Sequence, residues 1–222
     1  MTDKQVLIEV KNLSKTFNKV KVIKDLSVNF NRGDRIALIG QNGAGKTTLI
    51  RCILGLYTYE GYLSVLGKNS RTDREEILQE VGFVPQLPPP LKMTVSEIMD
   101  FFSIITKTDK DRFVKIANDL KLNVNAHLHK PFLKLSGGMK QKLLVSLALA
   151  RNPKILLMDE PSANLDPEAR KVLFKYLKEL PDDTLMILSS HRVDEIEDLV
   201  NRLIEMDLGE IVVDKELITV QS

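Results

Sequence analysis

The chain has 222 residues, 43% hydrophobic and 28% charged, which suits one sizeable globular domain with room for a small subdomain. Its 32 basic and 30 acidic residues leave a formal charge of +2, which gives no electrostatic footprint for nucleic acid. One cysteine, Cys52, excludes an internal disulfide and points to a reducing compartment. The first residues, Met1–Gln5, carry an acid and no evident signal peptide, and no run approaches the ~20 apolar residues of a membrane span.

In chain order, Val6–Val10 reads as a short strand, Val22–Ile23 and Leu26–Phe30 as two more, and Asn31–Asp34 as a turn before the apolar strand Arg35–Ile39. A helix is expected from about Lys46 to a terminating Gly55, with Cys52 packed inside it. Strands are expected at Gly61–Leu66 and Val81–Val84. Pro88–Pro90 cannot lie inside a helix, and Thr94-Val95-Ser96-Glu97 has the form of a capping box. From there to about Ala150 the pattern is helical only, a helical insert over about 87–150 in an α/β chain. Leu143–Ala150 reads as a buried helix.

Alternation then resumes with a strand at Lys154–Met158 and a helix opened by Asp166-Pro167 and ended by Pro181. A strand at Leu185–Leu188, a helix at Val193–Val200 and a closing hairpin over residues 203–213 follow. Strands alternating with helices imply a largely parallel sheet.

Gly40-Gln41-Asn42-Gly43-Ala44-Gly45-Lys46-Thr47 is a complete phosphate-loop pattern, placed after a strand and opening a helix. Backbone N–H groups at Gly40, Asn42, Gly43, Ala44 and Gly45 can turn onto phosphate oxygens, and the helix N-terminus adds positive potential. Lys46 can reach the β- and γ-phosphates, Thr47 can ligate Mg²⁺, and Thr48 belongs to the same nucleotide site. Ile155–Met158 leads into Asp159-Glu160, which puts two carboxylates at the carboxyl edge of the sheet. Asp159 is a candidate for the Mg²⁺ shell. Glu160 is a candidate general base polarising a water against the γ-phosphate. A surface acidic pair is the alternative.

Leu135-Ser136-Gly137-Gly138-Met139-Lys140-Gln141 is a second glycine motif at a helix start, just upstream of the acidic strand end. Ser136 suits an N-cap, and the small residues after it expose the helix terminus to an anion.

With these motifs in this order, nearly the whole chain resembles the ATP-binding subunit of an ATP-binding-cassette (ABC) transporter. The resemblance implies a P-loop NTPase core with a largely parallel sheet, an antiparallel β subdomain and a helical signature subdomain, all one domain over residues 1–222. It implies that Leu135–Gln141 is the signature motif, with Ser136, Gly137 and Gly138 contacting the γ-phosphate of ATP on a second copy. Gln86 matches the glutamine that senses Mg²⁺ and the attacking water, although a polar turn residue would also fit. His191, past a strand end, matches the switch histidine on the γ-phosphate. His127 and His129 have no such match and read as surface or core residues. Ser162–Asp166 resembles the D-loop, with Asp166 a helix N-cap as well or instead. Phe17 stands where the family places an aromatic under the adenine, with a core phenylalanine as the competing reading.

The cofactors implied are ATP and Mg²⁺. The implied partners are integral membrane permease subunits and a second copy in an ATP-dependent head-to-tail homodimer, at the cytoplasmic face of a membrane. The permease would dock over Leu87–Phe102, where Leu91, Met93, Val95, Met99, Phe101 and Phe102 are apolar, unless they form the insert's own core. Met139, where many members have Gln, resembles the multidrug- and heme-exporter variant, so export is the expected direction. An importer ATPase is the alternative reading, followed by a non-transport member acting on ribosomes or DNA.

Overall fold

The computed structural model describes residues 5–191 and 193–217; the expectation placed on Met1–Lys4 lies outside them. The chain forms two compact units. The first comprises Met1–Val81, Lys154–Asp159 and Pro181–Ser222; the second comprises Gly82–Pro153 and Glu160–Leu180.

The first unit holds two sheets. In one, β1 (Val6–Phe17), β2 (Val20–Asn31), β4 (Glu60–Val65) and β5 (Lys68–Asn69) lie in the order β2-β1-β4-β5, and every pairing is antiparallel. Strand β1 is twelve residues long, not five, and the two short candidates at residues 22–30 are one strand. Both extend past their apolar stretches because Asn12 (φ 49°) and Asp25 (φ 48°) form irregularities that break the alternation without ending the strand.

To the second sheet this unit supplies β10 (Glu210–Glu216), β9 (Arg202–Asp207), β3 (Arg35–Ile39), β8 (Leu185–Ser189) and β7 (Ile155–Asp159), side by side in that order. Strands β9, β3, β8 and β7 run parallel, and β10 returns antiparallel as a hairpin. Ile36, Leu38, Leu156, Leu157 and Leu185 are wholly buried, as parallel strands covered on both faces require.

Helix α1 (Lys46–Ile53) ends where expected. Gly55 (φ 64°) donates its N–H to Cys52 O and Leu56 donates to Arg51 O, the pair of bonds that closes a helix through a left-handed glycine. Cys52 is buried, and that burial pushes its thiol up to about 11, which keeps it protonated and suits a packing role. Helix α2 (Arg74–Glu80) has no counterpart in the sequence reading. The helix expected at Val193–Val200 is two 3-10 turns, Val193–Glu195 and Glu197–Leu199. Four acids within residues 194–198 weaken any amphipathic stripe there.

The second unit carries β6 (Val81–Val84, from Gly82 on), α3 (Val95–Thr106), α4 (Lys110–Asp119), α5 (Gly137–Ala150) and α6 (Pro167–Lys178). The capping box of α3 is complete. Glu97 N–H donates to Thr94 Oγ1 at 3.3 Å, and Thr94 N–H donates to the Glu97 carboxylate at 2.7 Å. Every residue of α5 from Gln141 to Ala150 is buried, which explains an apolar run with no polar face.

Candidate active site

The carboxyl ends of β3, β7 and β8 share one edge of the parallel sheet, since Leu38 and Asp159 both pair with Ser189. Residues 40–45 leave that edge from β3 and lead into α1. Gly40 has φ 142°, and a Cβ there would stand 2.2 Å from Met206 O, so only glycine fits. Gly45 is the left-handed cap of α1, and a Cβ on it would press on Val22 O and Met206 Cε at 3.2 Å. The loop is therefore wedged between β2 and β9. The β9–β10 turn also holds it directly: Gly209 donates its N–H to Ala44 O at 3.0 Å.

Lys46 is 7% exposed, and its ammonium donates to Gly40 O at 2.6 Å and Gln41 O at 3.1 Å. An ammonium has three N–H donors, so it can serve the loop and a phosphate oxygen together. Gln41, Asn42 and Gly43 are exposed at the loop's crest.

Asp159, at the end of β7, is 3% exposed. One oxygen accepts from Thr47 Oγ1 at 2.7 Å and the other from Ser189 Oγ at 2.5 Å. A buried carboxylate fixed on both oxygens keeps one orientation. Thr47 and Asp159 thus present a hydroxyl and a carboxylate side by side, the hard oxygen donors that fit Mg²⁺. The sequence reading missed Ser189. Its only signal was its place at a strand end two residues before His191. His191 itself is exposed just beyond β8, at this same edge.

Phe17 is not a core residue. It ends β1, is 36% exposed, and meets Tyr57 edge to face with ring centroids 5.1 Å apart.

The remaining candidates belong to the second unit. Gln86 is exposed, two residues past β6. Ser136 caps α5 by accepting Met139 N–H at 3.2 Å, and Ser136 and Gly137 are exposed. Gly138 is needed for close approach, because a Cβ there would lie 3.0 Å from Asn164 O. Asp166 both caps α6, accepting Ala169 N–H at 2.9 Å, and pairs with the buried Lys142 at 2.6 Å. The hydrogen bond from Lys142, then that from Ala169 N–H, lowers its carboxyl to about 2. Gln141, 0% exposed, donates to Pro161 O at 3.3 Å. The start of α5 is thus joined to residues 161–166 at three points. Glu160 takes φ 50°, a strained backbone for a non-glycine residue and one that recurs at functional sites. His127 is half-buried and His129 exposed.

The family model described as ABC transporter matches residues 23–163. The glutamine transport ATP-binding protein GlnQ of Escherichia coli (strain K12) is 34% identical over 219 residues, covering 94% of this chain and 90% of that protein. The phosphonates import ATP-binding protein PhnC 2 of Oceanobacillus iheyensis is 31% identical, covering 94% and 89%. A solved structure of an ATP-binding subunit of an ABC transporter superposes with a TM-score of 0.84 at 26% identity, covering 95% of this chain and 90% of that one. A phosphate loop followed by an acidic strand end recurs in many nucleotide-binding proteins. The glycine motif at Ser136 and the matched span narrow the choice, and the chain belongs to the ABC transporter family as an ATP-binding cassette ATPase.

Proposed function

We propose that this ATPase is the energy-coupling subunit of a membrane transporter, working as a head-to-tail pair of copies with ATP held between them. The observation that carries the pairing is the exposed, Ser136-capped N-terminus of α5. It offers backbone N–H groups and positive potential to an anion, and its own chain carries a separate, complete phosphate loop. Ser136, Gly137 and Gly138 of one copy would meet the γ-phosphate held by Lys46 and the 40–48 loop of the other. Closure would follow ATP binding, and hydrolysis would reopen the pair.

Within each half-site, the loop amides and Lys46 bind and orient the phosphates, and Phe17 takes the adenine. Thr47 and Asp159 would hold Mg²⁺, with Gln86 as a further candidate, and the ion would supply neutralising charge to the phosphates. Glu160 accepts a proton from the attacking water, and His191 donates to the γ-phosphate. Asp166 keeps its cap on α6 while its loop lies against the second copy.

The partner would be an integral membrane subunit, which would place the chain peripherally at the cytoplasmic face. Among the described residues no helix is long and apolar enough to cross a membrane, so in this reading the partner supplies the anchor. Phe101 and Leu87 are 51% and 74% exposed, which favours a docking role for them; Val95 and Met99 are buried in the unit's own core. The export direction expected from Met139 finds no support, since one relative is named for phosphonate import.

Glu160→Gln tests the mechanism. The substitution keeps size and removes the base, so ATP binding should persist while turnover falls by ~10²–10⁴ and an ATP-bound dimer accumulates on gel filtration. Unchanged turnover would remove Glu160 as the base.

A further inference from the structure

Phe17 is held by a second aromatic residue that belongs to no motif. Tyr57 lies just past α1, half-buried, with its ring at 78° to that of Phe17. Its hydroxyl accepts from Arg51 Nη1 at 2.6 Å, and the Arg51 guanidinium also lies 5.6 Å from its ring centroid. Arg51 is in the last turn of α1, the helix whose first turn carries Lys46 and Thr47. Lys15 completes the cluster. Its ammonium stands 4.5 Å from the Phe17 ring centroid and 5.6 Å from that of Tyr57, and it donates to Thr58 Oγ1 at 3.3 Å.

These contacts leave Phe17 little choice of orientation. Tyr57 abuts it edge to face, and Lys15 covers one ring face with a cation tethered at Thr58. Phe17 itself stays 36% exposed, which leaves ring surface for a flat, electron-rich partner. The cluster stands beside the phosphate loop, because Phe17 pairs with Val20 and Val22 O lies against Gly45. Helix α1 therefore fixes both ends of one ligand: phosphates at its N-terminus and, through Arg51 and Tyr57, the base platform near its C-terminus.

We propose that Tyr57 is a positioning and specificity-determining residue, which orients Phe17 and so sets the base-dependent share of affinity for a purine nucleoside triphosphate. This rests on the reading of Phe17 as the base platform. Without Tyr57 the Phe17 side chain, at a strand end and partly exposed, would sample other rotamers, and a base would have to immobilise it on binding.

The test compares binding of ATP and of inorganic tripolyphosphate, each with Mg²⁺, to the full chain by calorimetry. Variants are Phe17→Ala, Tyr57→Leu and Tyr57→Phe, with thermal melts to verify folding. Stacking on an aromatic ring is worth roughly 5- to 150-fold per base, so Phe17→Ala should lose about tenfold or more for ATP and nothing for tripolyphosphate. Tyr57→Leu should lose roughly two- to tenfold for ATP alone, the range of an edge-to-face aromatic pair. Tyr57→Phe, which keeps the ring, should return most of that preference.

If Phe17→Ala loses its ATP preference and Tyr57→Leu does not, the proposal is overturned and the platform reading stands. If Phe17→Ala binds ATP like the wild type, both fall. Equal losses for ATP and tripolyphosphate in Tyr57→Leu would mean damage to the phosphate loop and would also overturn it, as would a Tyr57→Phe variant as weak as Tyr57→Leu.

Discussion

Asp166 caps a helix and holds an ion pair with one side chain. Its depressed carboxyl has two causes, the Lys142 ammonium and the Ala169 N–H at the head of α6. Because the folded value lies below that of an unfolded aspartate, near 3.9, the stability it brings is present above pH 4 and is lost as pH falls through about 2. Asp166→Asn retains a capping oxygen but removes the charge. The stability gap between wild type and this variant should be constant from pH 7 to 5 and shrink between pH 4 and 2, as followed by urea midpoints across pH. A gap independent of pH would assign the whole effect to packing. Residues of this kind were legible because type, spacing and neighbours agreed: Lys46, Thr47, Asp159 and Ser136 sit where a strand end or helix start must put them. Ser189 and Tyr57 were not legible, because their partners Asp159 and Phe17 are brought to them only by folding, across sequence distances that no local pattern spans.

Among the elements, the sequence was clearest where periodicity and punctuation coincided. Gly55, the Thr94–Glu97 box and Asp166-Pro167 each marked a helix end found in the structure. It was least clear in the antiparallel sheet, where left-handed Asn12 and Asp25 interrupt the alternation of strands that continue, and at residues 193–200, where two 3-10 turns stand in place of a helix. Strands β9 and β10 illustrate a second kind of order, made by charge. Arg202 donates to Asp34 at 2.8 Å and Asn29 O at 2.8 Å, and makes a two-pronged contact with Asp214 at 2.7 and 2.8 Å. Asp34 is 2% exposed, so removing Arg202 takes the counter-charge from a buried carboxylate. Arg202→Leu should destabilise the protein by about 3–5 kcal/mol, read as a lowered urea midpoint. Asp34→Asn with Arg202→Leu should recover part of that loss, whereas additive losses would show that the two do not act as a pair.

For the whole molecule, the candidate residues divide between the two units. The first unit holds the phosphate loop, Asp159 and His191; the second carries Gln86, Glu160, Asp166 and the Ser136 helix start. Ser136→Arg places a long cation on an exposed helix end that should meet a second copy's nucleotide. Monomer ATP binding should be retained and ATP-dependent dimerisation lost in light scattering of the Glu160→Gln background. Normal dimerisation in that double variant would contradict a signature that acts in trans.

The bond from Gly209 to Ala44 links the phosphate loop to a turn near the other end of the described chain. A ribosome delivers these two partners far apart in time. The Gly40–Thr47 segment is made well before the backbone that wedges and tethers it, at Met206 and Gly209. Until Met206 and Gly209 have been made the loop lacks the backbone that shapes it, so the phosphate cradle is finished only when β9 and the turn after it are in place.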